Sequence, residues 1–113
     1  MDRDSREWWE RLGRHELLVQ RCLTCGRTRF PARAFCAGCR GERWEWTSAG
    51  TEGVVESWIV ERRREPGVTV VRVRLAGCVF HGRWTGEREP EAGGPARPVF
   101  TGSAEGTRLD WGP

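Results

Sequence analysis

Near the amino end the apolar residues fall at helical spacing, and after that they fall almost entirely at the two-residue spacing of strands. Trp8 and Leu12 share one face of a helix predicted over residues 4–13, which Asp4 or Ser5 can cap, Glu7 favours from the first turn, and Gly13 suits at the exit. Residues 16–21 read as a strand running into Cys22. Between Cys22 and Cys39 lie two cysteine pairs joined by a hairpin-like segment, residues 27–35. Residues 43–47 alternate again, and residues 48–53, rich in small and polar types, form a connector.

The second half is strand-like throughout. Strict alternation puts Val54, Trp58 and Val60 on one face; Val71, Val73 and Leu75 alternate with Arg72 and Arg74; Cys78, Phe80 and Trp84 alternate with Val79, His81 and Arg83. Trp58 and Trp84 are therefore expected in the core, and Pro66-Gly67 and Ala76-Gly77 supply turns. Residues 86–98, with Pro90, Gly93, Gly94 and Pro95, read as a polar loop, followed by short strands near Val99-Phe100 and at residues 107–109. Short strands with turns between them predict a small closed barrel.

The strongest chemical signal is the pair of C-x-x-C hooks, Cys22/Cys25 and Cys36/Cys39, with ten residues between them. Each hook turns tightly enough to aim two sulfurs at one point, aided by Gly26 after the first and Gly38 inside the second, and two hooks complete a tetrahedral thiolate shell for zinc. Disulfides, free thiols and a rubredoxin-like iron site are the competing readings. Four protein ligands leave a zinc ion no open position, so the expected role is structural, contributing on the order of 10 kcal/mol to folding.

Composition adjusts this picture in two ways. All 19 basic residues are arginine, and Lys, Asn and Tyr are absent. That is the mark of a GC-rich genome, so arginine frequency alone is no evidence of guanidinium recognition. The formal net charge is +3, and four thiolates offset by one Zn²⁺ subtract two, leaving about +1. Gripping a polyanion by charge alone calls for a larger excess. No apolar run approaches the roughly 20 residues needed to cross a bilayer, and the charged opening Met1-Asp2-Arg3-Asp4 lacks the apolar segment of a secretory signal, so the expected location is the cytoplasm.

A catalytic constellation is not evident. Cys78 and His81 are close in sequence, but residues three apart on a strand point to opposite faces. Cys78 reads as a small core residue, and His81 and His15 as surface or packing residues. Glu87, Glu89 and Glu91 sit in the polar loop with no apolar pocket to raise their pKa, and no P-loop, G-x-S-x-G or G-x-G-x-x-G element is present.

Several segments together carry a family resemblance. They are Trp8-Trp9-Glu10 in the helix, residues 17–22 entering the first hook, Cys25-Gly26, Phe30-Pro31-Ala32-Arg33, Cys36 with Cys39, and Gly53-Val54-Val55-Glu56-Ser57-Trp58. Over residues 5–85 the chain resembles the DUF35-type zinc-ribbon/OB-fold accessory proteins that accompany thiolases and other acyl-CoA enzymes in bacteria and archaea. The resemblance implies a mainly β chain: a short helix and rubredoxin-like zinc ribbon over residues 1–47, then a five-stranded OB-fold barrel over residues 48–113. It also implies a non-catalytic auxiliary subunit. Such a subunit docks on a thiolase-like acyltransferase or an acyl-CoA hydratase and helps assemble the complex or position an acyl-CoA-derived substrate.

Within that frame, candidate ligand or partner contacts can be named. Trp8 and Trp9, adjacent on a helix, cannot face the same way, so one packs inward and the other is free for an interface. Arg62-Arg63-Arg64, before Pro66-Gly67, are either a solvated loop or a contact for CoA phosphates or an acidic partner surface. Phe30, Pro31 and Arg33 are expected to line the ribbon–barrel junction. The runner-up is a module that binds single-stranded nucleic acid, because OB barrels and zinc ribbons both do so through aromatic platforms and basic grooves. The near-balanced charge argues against it, and no membrane partner is expected. A small enzyme acting through Cys78 is the third reading, and it requires that Cys78→Ser abolish turnover.

Overall fold

In the computed structural model, which describes residues 3–63, 65–103 and 106–113, helix α1 (Arg3–Gly13) is followed by eight strands. Strands β1 (Leu18–Cys22), β2 (Thr28–Arg29) and β3 (Trp44–Ser48) make an antiparallel sheet in the order β2-β1-β3. Strands β4 (Gly53–Glu61), β5 (Val68–Leu75), β6 (Cys78–Arg83), β7 (Pro95–Ser103) and β8 (Gly106–Gly112) make a second sheet in the order β6-β5-β4-β7-β8. A parallel bridge between Trp84 and Trp111 joins the two ends of that sheet, so the barrel is nearly closed. The architecture is the mainly β one expected: a helix, a cysteine ribbon and a five-stranded barrel.

Helix α1 exists to bury one stripe. Trp8 and Leu12 point into the core, and the Trp8 indole Nε1 donates to the Leu18 carbonyl at 2.9 Å, tying the helix to β1. The helix ends differently from the sequence expectation. The Glu16 amide reaches the Arg11 carbonyl and the His15 amide reaches the Leu12 carbonyl, with His15 at φ 63°: a Schellman closure in which His15, not Gly13, takes the left-handed position. The His15 ring stacks on Phe100 of β7 at 4.9 Å, a contact that offsets the backbone cost.

Strand β4 corrects a second expectation. Val54 is exposed and Val55 is buried, because the register with β5 slips between Val55 and Ser57. That bulge inserts one residue, so Val55 joins Trp58 and Val60 on the inner face where strict alternation had placed Val54. Glu56, the inserted residue, pairs with Arg72 at 3.0 Å and Arg74 at 2.6 Å on β5. Burial opposes its charge, yet the two guanidiniums hold its carboxyl below the usual range.

The carboxy-terminal strands are longer than expected. Residues 95–98, read as loop, belong to β7, which pairs with β8 from Arg97 to Ser103 but with β4 only at Pro95 and Ala96. Beyond Ala96, β7 has no second neighbour, and this edge tolerates the missing N–H of Pro98. The β5–β6 connection is the two-residue turn Ala76-Gly77, with both φ positive at 53° and 74°, as a type I′ hairpin requires.

One core runs through both sheets. Rings pass from the helix to the barrel in a line: Trp8 to Phe30 at 5.3 Å, Phe30 to Phe80 at 4.5 Å, Phe80 to Trp111 at 5.6 Å. Trp58 and Trp84 are only half-buried against this core; the fully enclosed tryptophan is Trp111. Gly82 makes room for it, since a Cβ there would lie 2.7 Å from Trp111 Cδ1. Trp111→Ala should therefore lower the unfolding free energy by about 3–5 kcal/mol, and Gly82→Ala by about 1–3 kcal/mol, in urea denaturation. A loss under about 1 kcal/mol for Trp111→Ala would mean that the ring does not organise the barrel.

Candidate functional site

Four sulfurs converge where β1 ends and β3 begins. Cys22 ends β1, Cys25 lies in the turn before β2, and Cys36 and Cys39 lie in the segment between β2 and β3; their Sγ atoms all fall within 4.8 Å of one another. Each hook folds by the same bond: the Gly26 amide reaches the Cys22 carbonyl at 2.9 Å, and the Arg40 amide reaches the Cys36 carbonyl at 2.8 Å. Gly26 and Arg40 both take positive φ, at 81° and 61°. Cross-hook distances are 3.5 Å for Cys22–Cys39 and 3.6 Å for Cys25–Cys36. A disulfide needs about 2.05 Å, whereas a tetrahedron with metal–sulfur bonds of about 2.3 Å puts its sulfurs about 3.8 Å apart. The donor set and spacing therefore fit a soft metal ion held by four thiolates.

The electrostatics favour the same conclusion. The Cys25 amide, with that of Thr24, is aimed at Cys22 Sγ and pulls its thiol down to about 6 against the opposing effect of burial. Cys36 is lowered by the amides of Cys39 and Gly38. The Gly41 amide, 3.3 Å from Cys39 Sγ, favours that thiolate too, but Cys22, burial and the remaining sulfurs outweigh it and push Cys39 up to about 11. The backbone thus prepares the first thiolates, and their mutual repulsion resists the last. A central cation removes that resistance.

The other candidate residues lie in several places. Trp8 is buried and Trp9 is 46% exposed, their rings 4.9 Å apart edge to face. Phe30 packs between Trp8 and Phe80 at the junction, and the Arg33 side chain is exposed nearby, its backbone amide donating to Gln20 Oε1 at 2.8 Å. Arg62 and Arg63 are exposed in the β4–β5 turn, away from that group in the fold, and Arg64 lies outside the described residues. Cys78 is buried, which pushes its thiol up, while His81 faces outward on the same strand. A groove of about 430 Å³ does form around Glu87, Glu89 and Glu91, between Trp84, Pro90 and Pro113, in the segment read as a plain polar loop.

Gln20 was not singled out from the sequence. It is fully buried on β1, between Leu18 and Cys22 on the same face, and its Oε1 accepts from Arg29 Nε at 2.7 Å as well as from Arg33. A polar residue in a core phase of an alternating strand was the available signal.

Residues 9–45 match the family described as "ChsH2, rubredoxin-like zinc ribbon domain". Over its whole length the chain is similar to a solved structure, "Ltp2-ChsH2(DUF35) aldolase": 26% identity, TM-score 0.87, covering 100% of this chain and 96% of that one. Together these likenesses support a DUF35-type zinc-ribbon/OB-fold family. The DUF35 likeness extends through β7 and β8, past the residues that carried it in sequence. A DUF35 protein of unknown function from Sulfolobus solfataricus shares the fold at TM-score 0.74 and 17% identity, covering 99% of this chain and 86% of that one. A curated relative, the probable enoyl-CoA hydratase alpha subunit of Thermomonospora curvata, is 33% identical over 60 residues, which is 53% of this chain. The match spans only 19% of that relative's length. No helix among the described residues is long and apolar enough to cross a membrane.

One metal ion per chain should bind, with proton release at neutral pH because Cys39 must ionise to enter the shell. Apparent affinity should fall as pH is lowered, since protons compete for the sulfurs. Cys22→Ser or Cys36→Ser should weaken binding by about a hundredfold or more in a competition titration with a chromophoric chelator. A different stoichiometry, or an affinity independent of pH, would contradict a tetrathiolate site.

Proposed function

We propose that this DUF35 protein is a non-catalytic accessory subunit that docks onto a thiolase-like acyltransferase or an acyl-CoA hydratase, with zinc as its structural metal. The observation that carries this reading is the whole-chain likeness to the Ltp2-ChsH2(DUF35) aldolase structure, supported by the shorter match to a probable hydratase subunit. In this reading residues 1–47 are the docking platform and residues 48–113 the barrel that supports it, and the chain helps assemble the complex or position an acyl-CoA-derived substrate. The protein acts in the cytoplasm.

Two features of the chain are consistent with the proposal. A four-sulfur shell leaves a zinc ion no site for substrate. The helix and the ribbon also present apolar side chains to solvent: Trp9 on the helix, Leu23 at 48% exposure in the first hook, and Phe35 at 57% beside the second. Aromatic and aliphatic side chains of this kind anchor protein interfaces.

Affinity purification of the tagged chain from its native host should recover a thiolase-like or hydratase-like subunit as the stoichiometric partner, identified by mass spectrometry. Trp9→Ala should reduce that recovery about tenfold or more, because the ring is exposed and its loss leaves the fold intact. Turnover of an acyl-CoA substrate by the isolated chain, or tight oligonucleotide binding with a steep negative salt slope, would overturn the assignment.

A further inference from the structure

At the seam between ribbon and barrel lies a groove of about 320 Å³ lined by Arg27, Arg29 and Arg33, with no Asp or Glu in its walls. Several arginines elsewhere have carboxylate partners, among them Arg21 with Glu45, Arg72 and Arg74 with Glu56, Arg97 with Glu52, and Arg108 with Asp110. Among the described residues, Arg27 and Arg33 pair with none, and both side chains are exposed. Arg27 lies across Gly38 at the rim of the groove, in the space a Cβ there would occupy.

The floor adds a second observation. Arg29 donates Nε to Gln20 Oε1 at 2.7 Å and Nη2 to the Arg33 carbonyl at 3.0 Å, both neutral acceptors, and its Nη1 is buried with no acceptor. Arg29, Gln20 and Trp46 are register partners across β2, β1 and β3. Gln20 Nε2 and Trp46 Nε1 are likewise buried without partners. Arg29 therefore brings to the groove a guanidinium with no carboxylate partner among the described residues, beside two exposed guanidiniums that can make direct contacts.

We propose that this groove binds a phosphoryl group. A planar carboxylate is satisfied by a single guanidinium fork, whereas a phosphoryl group offers several acceptor oxygens to donors arriving from different directions. Phe30 and Val79 give the groove an apolar wall for the carbon skeleton attached to it. Cys36 also lines the groove, so the competing use of these arginines is to neutralise a metal–thiolate cluster.

The two uses separate in an isothermal titration of the metal-loaded full chain with inorganic pyrophosphate at low ionic strength. The expected result is saturable binding of one pyrophosphate per chain, weakened at least about tenfold by Arg33→Gln and by Arg27→Gln, partly retained in Arg33→Lys, and reduced by added salt. Arg14→Gln, an exposed arginine outside the groove, should leave it unchanged. Absence of saturable binding by the metal-loaded chain would overturn the proposal, as would an equal loss in Arg14→Gln. Arg27→Gln and Arg33→Gln that loosen only the metal would overturn it too. The titration needs no partner, so a negative result leaves the docking proposal standing, and a failure to dock leaves the phosphoryl site standing.

Discussion

Four sulfurs drawn to within 4.8 Å of one another repel as they ionise, and a cation between them turns that repulsion into cohesion. If the metal is the structural one proposed above, the hook end of the ribbon depends most on this exchange, since the core residues of β1 lie toward its other end. Its strands are five, two and five residues long, and a small sheet of this kind is marginal without further support. The hooks bring the end of β1 against the entrance of β3, through bonds such as that from the Leu23 amide to the Arg43 carbonyl. Once that end is fixed, the register Cys22↔Trp44 through Leu18↔Ser48 follows, and with it the face that presents Leu18 and Gln20 inward.

The barrel is attached to this ribbon by apolar packing, not by charge. The line of rings from Trp8 through Phe30 and Phe80 to Trp111 is the path by which a change in the ribbon would reach the barrel. Ion pairs lie mostly on the surface, where each contributes little. Asp110 is the exception in burial, at 2% exposure, and it is satisfied by Arg108 and the Thr101 hydroxyl.

The parts of the structure legible in the sequence were those where one physical signal dominated. Cysteine spacing located all four sulfurs, and unbroken alternation located the inner faces of β5 and β6. Alternation failed at Val54 because a bulge changes the phase of a strand, and nothing in the residues around Glu56 marks an insertion except the arginines on the neighbouring strand that receive it. The start of β7 was hidden because Pro95 and Pro98 resemble a loop unless the edge position is known. Trp111 was hidden by its setting next to Gly112 and Pro113, since its burial comes from β6 and the space left by Gly82, both remote in sequence. The cationic groove was the least legible feature: in a chain whose only basic residue is arginine, composition cannot distinguish Arg27, Arg29 and Arg33 from the rest, and only the groove they share does so.

The role of the metal as the fastening of the ribbon is tested most directly by hydrogen exchange on the metal-loaded and the metal-stripped chain. Stripping should remove protection from the amides of β1, β2 and β3 while β5 and β6 keep theirs, because Val55, Val71, Val73, Leu75, Phe80 and Trp111, the barrel's share of the common core, lie on strands that the cysteines do not hold. Unchanged protection across Leu18–Ser48 after the metal is removed would contradict a metal-held ribbon.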